Sequence, residues 1–247
     1  MTQRNIVTLK WGDRYDADYV NKLLRASKRN LKGDFRFVCF TDDASDIDPA
    51  IETFPIPDID IPERQIGTGW RKLCLFRDDL PLEGLCLFFD LDIVITGPLD
   101  DYFTYKTDNI AIIHNWVHWR KSIFEKRPEI GNSSVFRWRA NKHAHVVEQY
   151  LSEKDWALNT FSPPQSYLSH CIREHMIYWP EGWVKSFKRH CRPTFPLNFI
   201  KEPKLPRDAS IIAFHGKPDP DEALAGYKGN KIHHRSLPTK WIQKHWK

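Results

Sequence analysis

The 247-residue chain has no apolar run long enough to span a bilayer, no CxxC spacing, no internal repeat and no low-complexity linker. Each absence excludes a class. Without a membrane-length run or a signal-like leader, the expected location is cytoplasmic. Cys39, Cys74, Cys86, Cys171 and Cys191 are scattered, and Cys39 and Cys86 fall inside apolar strands, so they read as reduced thiols rather than a zinc site or disulfide framework. No nucleic-acid-binding motif is present, and no nucleic acid is expected as a partner. What the chain does have is a hydrophobic content of 41%, enough to supply a core, and a net charge of +5 with ten Trp. By charge alone that balance suits an anionic small molecule, nucleic acid or an acidic membrane surface equally.

The most informative segment is Leu85-Cys-Leu-Phe-Phe-Asp90-Leu-Asp92-Ile-Val-Ile95, ended by Thr96-Gly97-Pro98. Its branched and aromatic residues predict a single strand buried on both faces. Two carboxylates do not belong in such a strand. Side chains alternate, so Asp90 and Asp92 are expected to point the same way and repel one another. Desolvating unpaired carboxylates costs several kcal/mol unless a cation or donors compensate. A hard divalent ion, Mg²⁺ or Mn²⁺, is the natural compensator, held by one or two carboxylates and the phosphates of a substrate at a strand's C-terminal end. The rival reading pairs the two aspartates with arginines or uses them to cap a turn.

Upstream, Asn5–Leu9 predicts a strand, Tyr15–Asn30 a helix with apolar spacing at Tyr19, Val20, Leu23 and Leu24, and Phe35–Phe40 a second strand. A turn at Thr41-Asp42-Asp43 and a Pro-punctuated loop over 55–69 follow, then a helix at Trp70–Arg77. Downstream the pattern predicts strands at Ile110–Ile113, Ser134–Phe136 and Ser210–Phe214, and helices at Ala140–Leu151 and Gln165–Glu174. The alternation implies one α/β domain with a mostly parallel central sheet flanked by helices. Its expected extent is 1–227, with a nucleotide-binding half at about 1–100 and an acceptor half at about 101–227. The basic aromatic tail is 228–247.

Five segments in this order resemble the GT-A glycosyltransferases, bacterial members that use nucleotide sugars in particular: Lys10-Trp-Gly-Asp-Arg-Tyr15 after the opening strand; Trp70-Arg71-Lys72-Leu-Cys-Leu-Phe76; the Asp90-Leu-Asp92 (DxD) segment; Gly131-Asn-Ser-Ser-Val-Phe136; and Phe214-His-Gly-Lys-Pro218. The resemblance spans roughly Asn5 to Pro220. It implies a GT-A, Rossmann-like fold and a metal-dependent transfer of sugar from a nucleotide sugar, a uridine diphosphate sugar first, to a bacterial surface glycan or its lipid-linked precursor. It further implies that Asp92 binds the ion, that Asp90 contacts the ion, a water or the ribose, and that His215 completes the coordination. Leu9, Lys10 and Tyr15 are expected to line the nucleotide, and Arg71 or Lys72 to meet ribose or diphosphate. Gly216 is expected to admit the backbone to the phosphates, with Lys217 or Lys185 adding charge. Asn132, Ser133 and Gln165 are expected at the sugar and acceptor.

One departure stands out. Relatives often carry an acidic residue with the Gln that opens the late helix, whereas this chain reads Ser162-Pro-Pro-Gln165-Ser-Tyr167. No catalytic base is assigned, and the His215 arrangement, more similar to retaining families, favours retention. Plainer readings stand beside these roles: Asn132 and Ser133 as a turn, His215 as hydrogen-bonded structure, Lys185, Lys188 and Arg189 as a solvated basic face, and Trp116, Trp119, Trp138 and Trp183 as core rather than sugar-stacking rings. In the tail, Ile242 and Trp246 are four residues apart, so a basic amphipathic segment peripheral at the inner membrane is one expectation. Two other functions compete: a haloacid-dehalogenase-like phosphatase with Asp90 as nucleophile, and a non-enzymatic basic module binding glycan or nucleic acid. The first would need its motif on the first strand and a Gly-Thr where Ile93-Val94 stands.

Overall fold

The computed structural model describes residues 2–116 and 129–247. Burial on both faces sets the character of the central strands. In β1 (Arg4–Lys10), Ile6 enters one apolar cluster and Val7 the other, both fully buried. In β4 (Leu85–Phe89), Leu85, Leu87 and Phe89 alternate in the same way with Cys86 and Phe88. A strand with two dry faces needs helices on both sides, and these are present. Helix α1 (Ala17–Asn30), capped by Asp16 accepting from the amides of Asp18 and Tyr19, lays Val20, Leu23 and Leu24 on one face. The 3₁₀ segment Gly69–Phe76 and the helices His145–Ser152 and Pro164–Cys171 cover the other.

The remaining strands are β2 (Arg36–Thr41), β3 (Glu52–Pro55), β5 (Ile93–Ile95), β6 (Ile110–His114), β7 (Gly131–Arg139), β8 (Met176–Tyr178), β9 (Val184–Ser186) and β10 (Ile211–Ala213). The main sheet runs β3-β2-β1-β4-β7-β6-β8, with parallel pairing throughout except where β7 meets β4 and β6. The expected single α/β domain with a mostly parallel, helix-flanked sheet is therefore observed. A second sheet, β5-β10-β9, stands apart.

Several expectations need correction. The run 85–95 is two strands in two sheets, with Asp90-Leu91-Asp92 as the crossing between them. Carboxylates at this point cannot continue a dry ladder, so the chain leaves the main sheet where its apolar pattern breaks. The strand β3 before the loop at 55–69 is unexpected, because it is a short edge strand whose largely exposed side chains carry no apolar pattern. The predicted helix over 140–151 starts only at His145, since Asn141 at φ 59° turns the chain out of β7 first. The late helix ends at Cys171 and gives way to a 3₁₀ turn, Arg173–His175. Asn132 and Ser133 are not in a turn but in β7, where the register against β6 shifts between Ile112 and Ile113.

The tail also differs from expectation. Ile242 and Trp246 do share a helical face, but that face is buried in the core: Trp246 packs edge-on to Tyr19 at 4.9 Å and under the Lys22 ammonium at 3.6 Å. Arg29 holds the carbonyls of His245 and Lys247. The apolar stripe that suggested lipid is thus already covered by protein. Among the described residues no helix is long and apolar enough to cross a membrane.

Candidate active site

A pocket of about 430 Å³ opens where β1 and β4 end, the side on which parallel sheets bind ligands. Its walls include Leu9, Trp11, Arg14 and Tyr15 from the β1–α1 connection, Thr68 and Lys72 from the 3₁₀ segment and its lead-in, and Asp90 and Asp92 from the crossing turn. The turn is fixed by its main chain. Asp90 N donates to Ser134 O at 2.9 Å, and Phe214 N donates to Asp92 O at 2.9 Å.

The two carboxylates meet different fates. Lys72 Nζ reaches both Asp90 oxygens, at 2.7 and 2.8 Å, and also donates to Ser133 O and Oγ at 3.1 and 3.2 Å. Asp90 is therefore paired, by a lysine rather than an arginine. Asp92 is half-buried, and its carboxylate has no hydrogen-bond or ion-pair partner among the described residues. Burial, and then the Asp90 charge, push its carboxyl well above the usual carboxylate range. Asp219 adds to that effect. It is almost fully buried, and it accepts from Arg14 Nη2 and Tyr15 Oη at 3.1 Å each and from Lys217 Nζ at 2.9 Å. Burial, with the charges of Asp92 and Asp219, also raises the Tyr15 phenol far out of its ordinary range, so it stays protonated and donates.

His215 follows β10 on the far side of Asp92. Its Nε2 lies 2.6 Å from Ser186 Oγ, in a hydrogen bond whose donor depends on the tautomer, and Trp116 stacks on its ring at 5.4 Å. Burial and the charges of Lys188, Arg189, His190 and Arg192 push the imidazole down to about 4, so it is neutral at pH 7 and keeps a lone pair. Among the described residues, no three His, Cys, Asp or Glu side chains stand close enough together to hold an ion. The donor set nonetheless fits one in its chemistry. An unpartnered, half-buried carboxylate beside a second one demands a cation.

The other expected residues divide. Leu9 and Tyr15 line the pocket, and Ser133 touches it through Lys72. Gln165 opens the helix whose Pro164 lies against Gly69 on the pocket rim. Lys10 is turned away to Asp43 O, and Arg71 spends its Nε on Ile66 O while stacking over Trp11. Asn132 accepts from Ser134 N within β7. Lys185 is half-buried on β9, away from the pocket walls. Lys217 is neutralised by Asp219 and Glu222. Gly216, at φ 72°, is where a side chain would be strained, and a Cβ there would come within 3.1 Å of Lys188 Nζ. Of the tryptophans, Trp138 is core, Trp183 packs on Tyr102, and Trp116 covers His215; Trp119 lies outside the described residues.

Sequence reasoning missed Arg14 and Asp219, and it read Lys188 as part of a solvated basic face, whereas Lys188 is half-buried with its Nζ against Gly216. Only Asp219 carried a readable signal. It caps the helix Pro220–Ala225 in a capping box with Glu222, the Asp-Pro-x-Glu pattern that marks a helix start.

No family model matches the chain, and no curated protein sequence matches it. Solved structures do. The galactosyltransferase LgtC, determined with donor and acceptor sugar analogues, superposes with a TM-score of 0.58 at 15% identity, covering 87% of this chain and 88% of LgtC. The glycosyltransferase GlyE of Streptococcus pneumoniae TIGR4 gives 0.59 at 12% identity over 88% of this chain. The bifunctional glycosyltransferase WbbM gives 0.54 at 11% over 89%. The chain spans 56% of GlyE and 47% of WbbM. With its switch-point pocket at the crossing between two sheets, the chain has the GT-A-like fold of the glycosyltransferases.

Proposed function

We propose that this protein transfers a sugar from a nucleotide-sugar donor, a uridine diphosphate sugar first, to a glycan or lipid-linked glycan acceptor of the bacterial cell surface. The observation that carries this reading is the unpartnered Asp92 beside the Lys72–Asp90 pair, in a pocket at the strand ends of this fold. Asp92 and Asp90 would hold a divalent ion, Mn²⁺ or Mg²⁺. When bound, such an ion supplies Lewis-acid stabilisation of the negative charge on a departing nucleoside diphosphate. Lys72 holds the Asp90 carboxylate in place at the pocket wall. Arg14, itself anchored by Asp219, adds positive charge on the opposite wall. Trp11 and Tyr15 supply flat faces for a base or ribose.

Two acids at or near the pocket are already engaged as hydrogen-bond acceptors, Asp90 from Lys72, and Asp219 from Arg14, Tyr15 and Lys217. That supports a retaining transfer, which needs no enzyme base for the acceptor. The phosphatase reading loses support, since the carboxylate it would use as nucleophile is locked in an ion pair and follows β4 rather than β1.

The test is a thermal-shift titration with UDP, GDP, CDP and ADP, each with and without Mn²⁺. Ligand at ~100 times its dissociation constant stabilises by about 2.7 kcal/mol. Stabilisation by one nucleotide only with the ion, absent in a folded Asp92→Ala variant, is the expected result. Binding retained in Asp92→Ala would remove the ion from the reading, and no response to any nucleotide would remove sugar transfer.

A further inference from the structure

Seven large hydrophobic side chains stand exposed among the described residues, and five of them are Phe195, Leu197, Phe199, Ile200 and Ile232. They belong to two neighbouring segments. Asn198 Nδ2 donates to the carbonyls of Ile232 and Arg235 at 3.1 and 3.0 Å, tying the 195–200 turn to the 232–235 turn. Ile200 and Ile232 are 74% and 64% exposed, which no internal packing rewards.

The rim of this patch is basic. Arg189, Lys231 and Arg235 are exposed, Arg235 lies over the Phe199 ring at 5.2 Å, and Arg192 donates to His234 O at 3.0 Å. None of these four cations is in an ion pair among the described residues. Exposed aromatic and aliphatic tips inside a ring of unpaired cations match the two layers of an anionic bilayer surface, acyl chains below and phosphate headgroups above.

We infer that the Phe195–Ile200 turn with Ile232 and its rim of Arg189, Arg192, Lys231 and Arg235 is a docking surface for an anionic lipid bilayer. This surface is distinct from the helix Trp241–His245, whose apolar face is already buried. It reaches toward the pocket through Lys188, which precedes Arg189 and packs against Gly216 of the His215 loop.

The experiment is co-sedimentation of the whole chain with vesicles of pure phosphatidylcholine and of phosphatidylcholine containing phosphatidylglycerol, without nucleotide or ion. It succeeds or fails separately from the sugar-transfer reading. Binding to the anionic vesicles that weakens with salt is expected. F195S/I200S/I232S should weaken it at least ~10-fold, and R189Q/K231Q about 25-fold, at ~5-fold per cation. Leu151→Ser, at an exposed apolar residue elsewhere, should change nothing. Absence of sedimentation with anionic vesicles overturns the inference. So does full binding by both multiple variants, or loss in K244Q/K247Q instead, which would return the contact to the terminal helix. Displacement by inorganic pyrophosphate with no loss in F195S/I200S/I232S would overturn it as well, since the patch would then read a free anion.

Discussion

Replacing Lys72 by Met tests the electrostatics of the pocket directly. The lysine is 10% and its partner Asp90 22% exposed, so the pair is largely withdrawn from water but not sealed. Removing one partner of a fully buried pair costs about 3–5 kcal/mol, chiefly through the stranded charge. Access of water from the cleft puts Lys72→Met at the low end, about 2–3 kcal/mol. In a chain of this length each kcal/mol moves the melting temperature by about 2–4 °C, so a fall of about 4–12 °C is expected. The loss should exceed that of Asp90→Asn, because Lys72→Met leaves two carboxylates facing each other with no cation. Adding Asp90→Asn to Lys72→Met should then restore part of the stability, giving a coupling of at least ~1 kcal/mol in a double-mutant cycle. Millimolar Mn²⁺ should stabilise Lys72→Met more than the parent, since the ion takes over the missing charge. Chemical denaturation of the four proteins, with and without Mn²⁺, provides the measurement. Effects that add to within ~0.5 kcal/mol, with no extra response to the ion, would refute the idea that Lys72 stands in for a cation at Asp90.

Two further outcomes follow from burial. His143 is 9% exposed with an unpartnered Nδ1, and burial with the charges of His145, His175 and Lys142 pushes it down to about 4. Between pH 6.5 and about 4 the unfolded chain takes up a proton that the folded one refuses, so stability is full above 6.5 and falls by up to ~3 kcal/mol toward pH 4. His215, His234 and His245 titrate with the same sign, so His143→Leu should reduce but not abolish the pH dependence of the urea midpoint between pH 7.5 and 5; an unchanged slope would contradict the burial of His143. Burial holds the thiols of Cys39, Cys74, Cys86 and Cys191 up at about 12 and raises Cys171 less. A thiol reagent at pH 8 should therefore label at most Cys171 in the native protein and all five after denaturation, and fast native labelling of two or more would contradict the packing described.

Elements whose signal is local were readable from the residues. The first strand, α1 and the second strand announce themselves through apolar periodicity, and Asp16 caps where the helical spacing begins. The aspartates at 90 and 92 announced a site because two neighbouring charges in an apolar run destabilise the fold unless something binds them. What they did not announce was the change of sheet. The residues on either side are equally apolar whether a strand continues or crosses to a new partner, so the break was legible only as chemistry. Lys72 was a candidate by position, yet its attachment to Asp90 and Ser133 joins three separate segments through tertiary packing. Asp219 lies more than a hundred residues from the turn it influences, and the fate of Ile242 and Trp246 was ambiguous for a related reason. An amphipathic stripe specifies that something apolar covers it, and either protein or lipid satisfies that demand.

The crossing turn divides its labour by atom type. Its amide and carbonyl groups stitch Asp90 to Ser134 in the large sheet and Asp92 to Phe214 in the small one, while its carboxylates face the pocket. Main-chain bonds are indifferent to the side chain attached to them, so the seam between the sheets survives exchange of the acids. A descendant of this chain could shed both carboxylates, lose whatever they bind and still keep its fold. Architecture and reactivity share two residues here but can be inherited separately.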